Sequence, residues 1–166
     1  MSKHHESMRE ILARVQNLLD QNDVQQAIEQ VRKHGNGSAE MSNAYAVCLM
    51  RSGQADKAVE IYRSALVQPG GVCLKPEMPT EYKANYAGAL LLTGNVAGCL
   101  AVLRDAHAEG NPVVIKLRAA IQQWLRSLSW WQRLWLRLAN EAPKKPVKID
   151  FSLGTLLTEG SLRPAA

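Results

Sequence analysis

The chain has 166 residues, of which 46% are hydrophobic, so we expect one compact domain with an apolar core. Its 20 Lys and Arg outnumber its 15 Asp and Glu and give a net charge of +5. No apolar run reaches the length that spans a bilayer, and the polar N-terminus lacks the apolar core of a secretory signal, so a cytoplasmic location is expected.

Apolar residues recur every three or four positions along most of the chain, which is the period of amphipathic helices. Three predicted helix starts carry a capping residue, namely Asp23, Ser38 and Asn111, and the last of these is followed by a proline. Helices are therefore predicted at residues 6–20, 23–34, 38–52, 55–68, 79–93 and 96–110, followed by a helix or helix pair from residue 112.

Residues 44–69 show an order of small and large residues that suits two packed helices. Ala46 and Leu49 lie on one predicted helix and Tyr62 lies on the next, with Gly53 at the turn between them. The alanine lets antiparallel helices approach closely, and the large side chains fill the space between them. The glycine supplies the left-handed backbone that ends the first helix. One such hairpin cannot bury its own apolar stripe, so neighbouring copies are expected.

Two further copies of this order are present. The later copy comprises Tyr86, Ala87, Leu90, Gly94, Val96, Cys99, Leu103 and Ala106. The earlier and weaker copy comprises Val15, Leu18, Asn22, Val24, Ala27 and Val31. Asparagine can replace the turn glycine of the earlier copy because it also adopts left-handed backbone.

The sequence thus resembles the tetratricopeptide repeat family, with three repeats over about residues 8–112. The resemblance implies an all-α superhelix of three helical hairpins, extended by a C-terminal capping helix or helix pair. The implied organisation is three repeats over residues 1–111, basic and Trp-rich capping helices over 112–141, and a Pro-rich, loosely ordered tail over 142–166.

Members of that family bind ligands against the first helix of each repeat. By register, the groove-facing residues here are Arg9, Leu12, Gln16, Leu19, Glu40, Asn43, Val47, Met50, Arg51, Glu81, Ala84, Asn85, Gly88 and Leu91. We expect the partner to contact Arg9, Leu12, Gln16, Asn43, Val47, Met50, Arg51, Asn85 and Leu91. The mixture suits an amphipathic helix or an extended peptide with apolar anchors. The alternative is that the chain's own C-terminal segment fills the groove.

The family's usual clamp for a C-terminal carboxylate is absent, because Leu12 and Glu81 stand where chaperone-binding members have lysines. The long connection at residues 68–79 is interpreted either as a tolerated insertion or as a recognition loop at the groove edge.

Neither catalytic nor metal-binding residues form a convincing set, so we expect no enzyme activity, no metal and no cofactor. His4 and His5 are adjacent in a polar terminus, without a third ligand. The three cysteines, Cys48, Cys73 and Cys99, are far apart in the sequence. We expect the first and third to be buried thiols, the second to be exposed in the long loop, and no disulfide to form.

The C-terminal third carries the basic excess, with 9 Lys and Arg against 3 Asp and Glu over residues 112–166. Ser129 and Gln132 have the form of a capping box, which predicts a break near residues 127–129. An apolar stripe nevertheless continues at helical spacing, which predicts that Trp131 faces the protein body and Trp130 faces outward. The stripe comprises Val114, Leu117, Ile121, Trp124, Leu128, Trp131, Trp135 and Leu138.

Three interpretations of this Trp-rich segment remain open. It caps the third repeat; or Trp130 and Arg133 bind a partner protein or a second copy of the chain; or residues 113–138, with five cations and no acids, lie on a membrane surface. Nucleic-acid binding is the least favoured partner class. Taken together, the sequence predicts a non-catalytic protein–protein interaction module, a small adaptor or chaperone-like protein, with peripheral membrane association as the alternative.

Overall fold

The computed structural model describes residues 7–35, 37–71, 73–106 and 110–139, together with Val147, Ile149, Gly154 and Leu156. Of residues 135–139 it describes the backbone only. The described part of the chain is all-α. Its eight helices are α1 Met8–Asp20, α2 Val24–His34, α3 Ala39–Arg51, α4 Ala55–Leu66, α5 Thr80–Leu92, α6 Val96–Asp105, α7 Pro112–Arg126 and α8 Trp130–Ala139.

Side-chain caps fix most of the predicted helix starts. Asp23, Ser38 and Asn111 accept hydrogen bonds from backbone amides in the first turns of α2, α3 and α7. The capping box at Ser129 is also confirmed, because Ser129 N donates to Gln132 Oε1 at 3.0 Å and Gln132 N donates to Ser129 Oγ at 3.3 Å. A second capping box, Ser7 with Glu10, begins α1 and was not recognised from the sequence.

The turns between paired helices adopt the left-handed backbone that the sequence predicts. Asn22, Gly53 and Gly94 have φ angles of 61°, 78° and 80°. At each of these turns the chain reverses, so that α1 packs on α2, α3 on α4, and α5 on α6. Successive hairpins then stack through contacts of α2 with α3 and of α4 with α5.

The first helices of the hairpins form a layer of their own. Contacts join α1 to α3, α3 to α5 and α5 to α7. Buried side chains divide into two clusters: an N-terminal cluster built from α1, α2, part of α3 and Leu156, and a C-terminal cluster that runs from α3 to Leu128. The four apolar residues of the predicted stripe on α7, Val114, Leu117, Ile121 and Trp124, are all buried in the C-terminal cluster.

The long connection between α4 and α5 is packed against the helices. Val67 and Leu74 form an isolated antiparallel bridge, which ends α4 at Leu66, two residues before its predicted end. Leu74 is buried, and its backbone amide donates to Asp105 Oδ2 at 3.0 Å. Lys75 Nζ donates to the carbonyl of Ala65 at 2.7 Å. These bonds tie the described part of the connection to α4 and α6.

The predicted orientation of Trp131 is wrong. Its side chain is 64% exposed, and that of Trp130 is 63% exposed. The capping box at Ser129 starts a new helix, so the apolar stripe of α7 does not continue in phase beyond Leu128. The two indole rings stack on each other instead, with centroids 3.8 Å apart and planes inclined by 30°. The side chains of Trp135 and Leu138, the other predicted stripe residues on α8, lie outside the described part.

Candidate interaction surface

The predicted groove residues lie on α1, α3 and α5, and we call the surface that they form the first-helix face. Of the nine groove residues that we expect to contact the partner, six with apolar or amide side chains are buried, two polar ones are half-buried, and one cation is exposed. The buried residues are Leu12, Asn43, Val47, Met50, Asn85 and Leu91; the half-buried ones are Gln16 and Arg51; and Arg9 is exposed. Of the other groove positions, Leu19, Ala84 and Gly88 are buried, Glu81 is half-buried and Glu40 is exposed.

Residues from the chain's own C-terminal tail cover part of this face. Leu156 is 1% exposed and belongs to the N-terminal cluster, which also contains Leu12, Val15 and Val47. Val147 and Ile149 are partly buried and pack against the C-terminal cluster. The described tail residues therefore contact both clusters. The predicted loose order of residues 142–166 stays a prediction, because most of these residues lie outside the described part.

Gly154 lies directly against Val47 of the first-helix face. A Cβ atom at this position would lie 2.5 Å from Val47 Cγ1 and 2.8 Å from Val47 Cγ2, distances that a methyl group cannot tolerate. The φ angle of Gly154 is 99°, which disfavours any L side chain. Glycine is required here on both counts, because the backbone itself lies against the valine.

Both α3 and α5 are buried over most of their length. In α5, every side chain from Tyr82 to Leu91 is buried, and in α3 only Tyr45 between Met41 and Met50 is not. The paired second helix covers one side of α3 and of α5, and the neighbouring first helices cover two further sides. An amphipathic helix at a free surface would keep a polar stripe, so the apolar composition of α5 is that of a helix enclosed on every side.

The buried polar groups of the face are bonded to one another. Asn43 Oδ1 accepts hydrogen bonds from Asn85 Nδ2 at 2.9 Å and from Tyr62 Oη at 3.0 Å. Burial raises the pKa of Tyr62 well above its ordinary value, so its hydroxyl stays protonated and remains a donor. These bonds lock α3, α4 and α5 together and give the two asparagines a structural function.

Arg51 ends α3 at the edge of the same face. Its Nη1 donates to the carbonyl of Leu19 near the end of α1 at 3.2 Å, and this carbonyl also accepts from Asn22 N at 3.1 Å. Its Nε is buried and has no hydrogen-bond partner in the described structure. A buried donor without an acceptor is unfavourable, so the guanidinium is suited to an additional carbonyl or carboxylate from a bound segment.

The remaining predicted site residues, Trp130 and Arg133, lie on α8, apart from the first-helix face. Arg133 Nη2 donates to the carbonyl of Arg126 at 2.8 Å, so its charge is held at the end of α7. Leu134 beside it is 40% exposed. The indole pair, this leucine and the two arginines together form an apolar and basic surface, which we call the α8 surface.

The described residues contain no cluster of three or more His, Cys, Asp or Glu side chains that could hold a metal ion. Burial raises the pKa of the Cys48 thiol and of the Cys99 thiol to about 12, so both are protonated at neutral pH and are poor nucleophiles. Cys73 is exposed, as predicted. None of the described helices is both long enough and apolar enough to cross a membrane.

Comparison with known proteins adds no relative. The sequence matches no protein-family model, and no curated protein or solved structure is significantly similar to it.

Proposed function

We propose that this protein is a non-catalytic interaction module of tetratricopeptide type, a small cytoplasmic adaptor or chaperone-like protein that binds a segment of another protein on its first-helix face. The observation that carries the proposal is the seating of the tail. Gly154 and Leu156 lie against Val47 and among the apolar residues of α1 and α3, so this face accommodates an extended apolar segment. Three stacked hairpins with equivalent turn residues support the repeat assignment.

The residues of the first-helix face contribute to partner binding in different ways. Leu12, Val47 and Met50 supply apolar surface for the partner's anchors. Arg51 supplies a charged donor at the edge, where it can bond to a partner carbonyl or carboxylate. Asn43 and Asn85 hold the helices in register and act on the partner through the shape of the face.

The test uses a partner captured from the source cell and identified by mass spectrometry, followed by binding measurements on variants. Arg51→Glu and Gln16→Glu change half-buried polar residues on the face without emptying the core. We expect each to weaken binding of the captured partner at least about tenfold, the cost of one charge-assisted contact. Ala101→Glu, on the exposed side of α6, is the matched control. Equal binding by all four proteins would exclude the first-helix face.

Peripheral membrane association is a second candidate, favoured by the α8 surface. Tryptophan pairs and arginines are typical of helices that lie in the membrane interface, and residues 110–140 contain no acidic side chain. For peripheral membrane association, we expect the α8 surface to bind vesicles that contain anionic lipid and not to bind neutral vesicles. Co-sedimentation tests it, with Trp130→Ala as the variant and Leu100→Ala, an exposed leucine on α6, as control. Failure of the parent protein to bind anionic vesicles would exclude this function.

A further inference from the structure

The contacts of the tail define what a competing segment must look like. Resting on the function proposed above, we propose that the chain's own C-terminal tail competes with the partner for the first-helix face. We further propose that the partner is an extended segment carrying a glycine followed two residues later by a large aliphatic residue. The partner is thus defined by its glycine and its aliphatic residue, and it reaches the face only when the tail has left.

The glycine requirement follows from the geometry at Val47. With ideal Cβ contacts of 2.5 Å and 2.8 Å to its two methyl carbons, any side chain at the position of Gly154 would push the segment away from the face. A replacement segment that follows the same path meets the same valine, which lies in α3 and is fully buried. It must therefore present bare backbone at this point.

The aliphatic requirement follows from Leu156, two residues further along. This side chain is enclosed by the N-terminal cluster, whose members on α1 and α3 include Leu12, Val15 and Met41. Burying a leucine there removes apolar surface from water, which contributes favourably to seating the tail. A polar residue at this point would lose that contribution and leave the cluster open. Val147 and Ile149 mark a further apolar contact at the other cluster.

Competition follows from the short tether between α8 and the seated residues. Fourteen residues, 140–153, separate Ala139 from Gly154, and a tether of this length holds a segment at a local concentration on the order of millimolar. A partner segment must therefore displace the tail. The smaller the fraction of molecules in which the face is open, the lower the apparent affinity for the partner. Weakening the tail should accordingly strengthen partner binding.

The experiment measures anisotropy of a fluorescein-labelled synthetic peptide of residues 145–158 added to full-length protein. The proteins compared are the parent, Gly154→Leu, Leu156→Ala and the control Gly37→Leu, whose glycine is exposed with open space around it. We expect the peptide to bind Gly154→Leu and Leu156→Ala at least about tenfold more tightly than the parent and the control. A peptide carrying the same glycine-to-leucine change should bind none of them. Circular dichroism verifies that each protein keeps its helices.

The alternative outcomes separate the two proposals. If the peptide binds the parent as tightly as it binds both tail variants, the face is open and competition is excluded, while binding on the face stands. If it binds none of the folded proteins, the face does not accept segments from another molecule, and the proposed function fails as well. If the parent sediments as a dimer that the tail variants cannot form, the occupant is the tail of a second copy, which overturns the assignment to a different partner.

Discussion

Asn43 and Asn85 are hydrogen-bonded to each other although 42 residues separate them, with Asn85 Nδ2 donating to Asn43 Oδ1 at 2.9 Å. Each side chain is 1% exposed, so the bond lies in the interior, where an unpaired amide is costly. It joins the first helices of the second and third hairpins. Because a slip of either helix would break this buried bond, the pair helps to specify how the two hairpins stack.

Replacing Asn43 with alanine should destabilise the fold by about 1–3 kcal/mol, since Tyr62 and Asn85 each lose an acceptor. Chemical denaturation measures the change in the free energy of unfolding. Asn17→Ala, at an exposed position of α1, serves as control and should change it by less than about 0.5 kcal/mol. The Asn43→Ala and Asn85→Ala effects should be non-additive in the double variant; simple additivity would show that the bond contributes nothing.

Ala58→Leu and Ala87→Leu should each destabilise the protein by about 1–3 kcal/mol through overpacking. Both alanines are fully buried where helices approach closely. Thermal unfolding followed by circular dichroism provides the measurement. Ala97→Leu, at an exposed position of α6, tests whether the effect comes from burial. Parent-like melting of either core variant would contradict the helix packing described above.

Stability should fall in alkaline solution because two thiols are buried. Their pKa values rise from 9.0 to about 12 on folding, so between these values the unfolded chain loses protons that the folded chain keeps. The free energy of unfolding should therefore be insensitive to these thiols below pH 9. Above pH 9 it should decrease by on the order of 1 kcal/mol per pH unit for each thiol.

Urea denaturation of the parent and of Cys99→Ala from pH 8 to pH 10.5 checks this pH dependence. The variant should show a shallower decline above pH 9 and a constant difference from the parent below it. Identical slopes for the two proteins would mean that the Cys99 thiol ionises equally easily in both states, contrary to its burial among α5 and α6 side chains.

Trp130→Ala and Trp131→Ala should both change stability little, because about two thirds of each side chain is exposed. Trp124→Ala should instead cost about 3–5 kcal/mol, since this residue is buried in the C-terminal cluster. Differential scanning calorimetry compares the three. If the α8 surface also joins two copies of the chain, analytical ultracentrifugation should detect a parent dimer that the Trp130→Ala variant loses. Trp131→Ala melting as low as Trp124→Ala would contradict the exposed stack.

Local signals in the sequence predict most of the helices. Asp23, Ser38 and Asn111 cap helices where expected, and Gly53 and Gly94 end them with the expected left-handed backbone. Such features are set by neighbouring residues alone, so they can be derived from short stretches of chain. The Ser7 capping box was equally readable, because serine is followed three residues later by glutamate.

The contacts of the tail could not be predicted in the same way, because they join residues about a hundred positions apart. Val147 and Ile149 alternate like a short strand, but nothing local indicates which surface they cover. One signal was available: α5 has few polar residues and no continuous polar stripe, which indicates a helix covered on most sides. Trp131 was misplaced for a different reason, since one helical phase was extended across the break at Ser129.

Nuclear Overhauser contacts in the parent protein report directly on the seating of the chain's own tail on its first-helix face. With methyl-labelled valine, both Val47 methyl groups should show strong contacts to the Gly154 α-protons, because the two residues touch. Leu156 methyls should likewise show contacts to Leu12 and Val15. Random-coil chemical shifts for Gly154, with no contact to Val47, would show that the tail does not lie on this face.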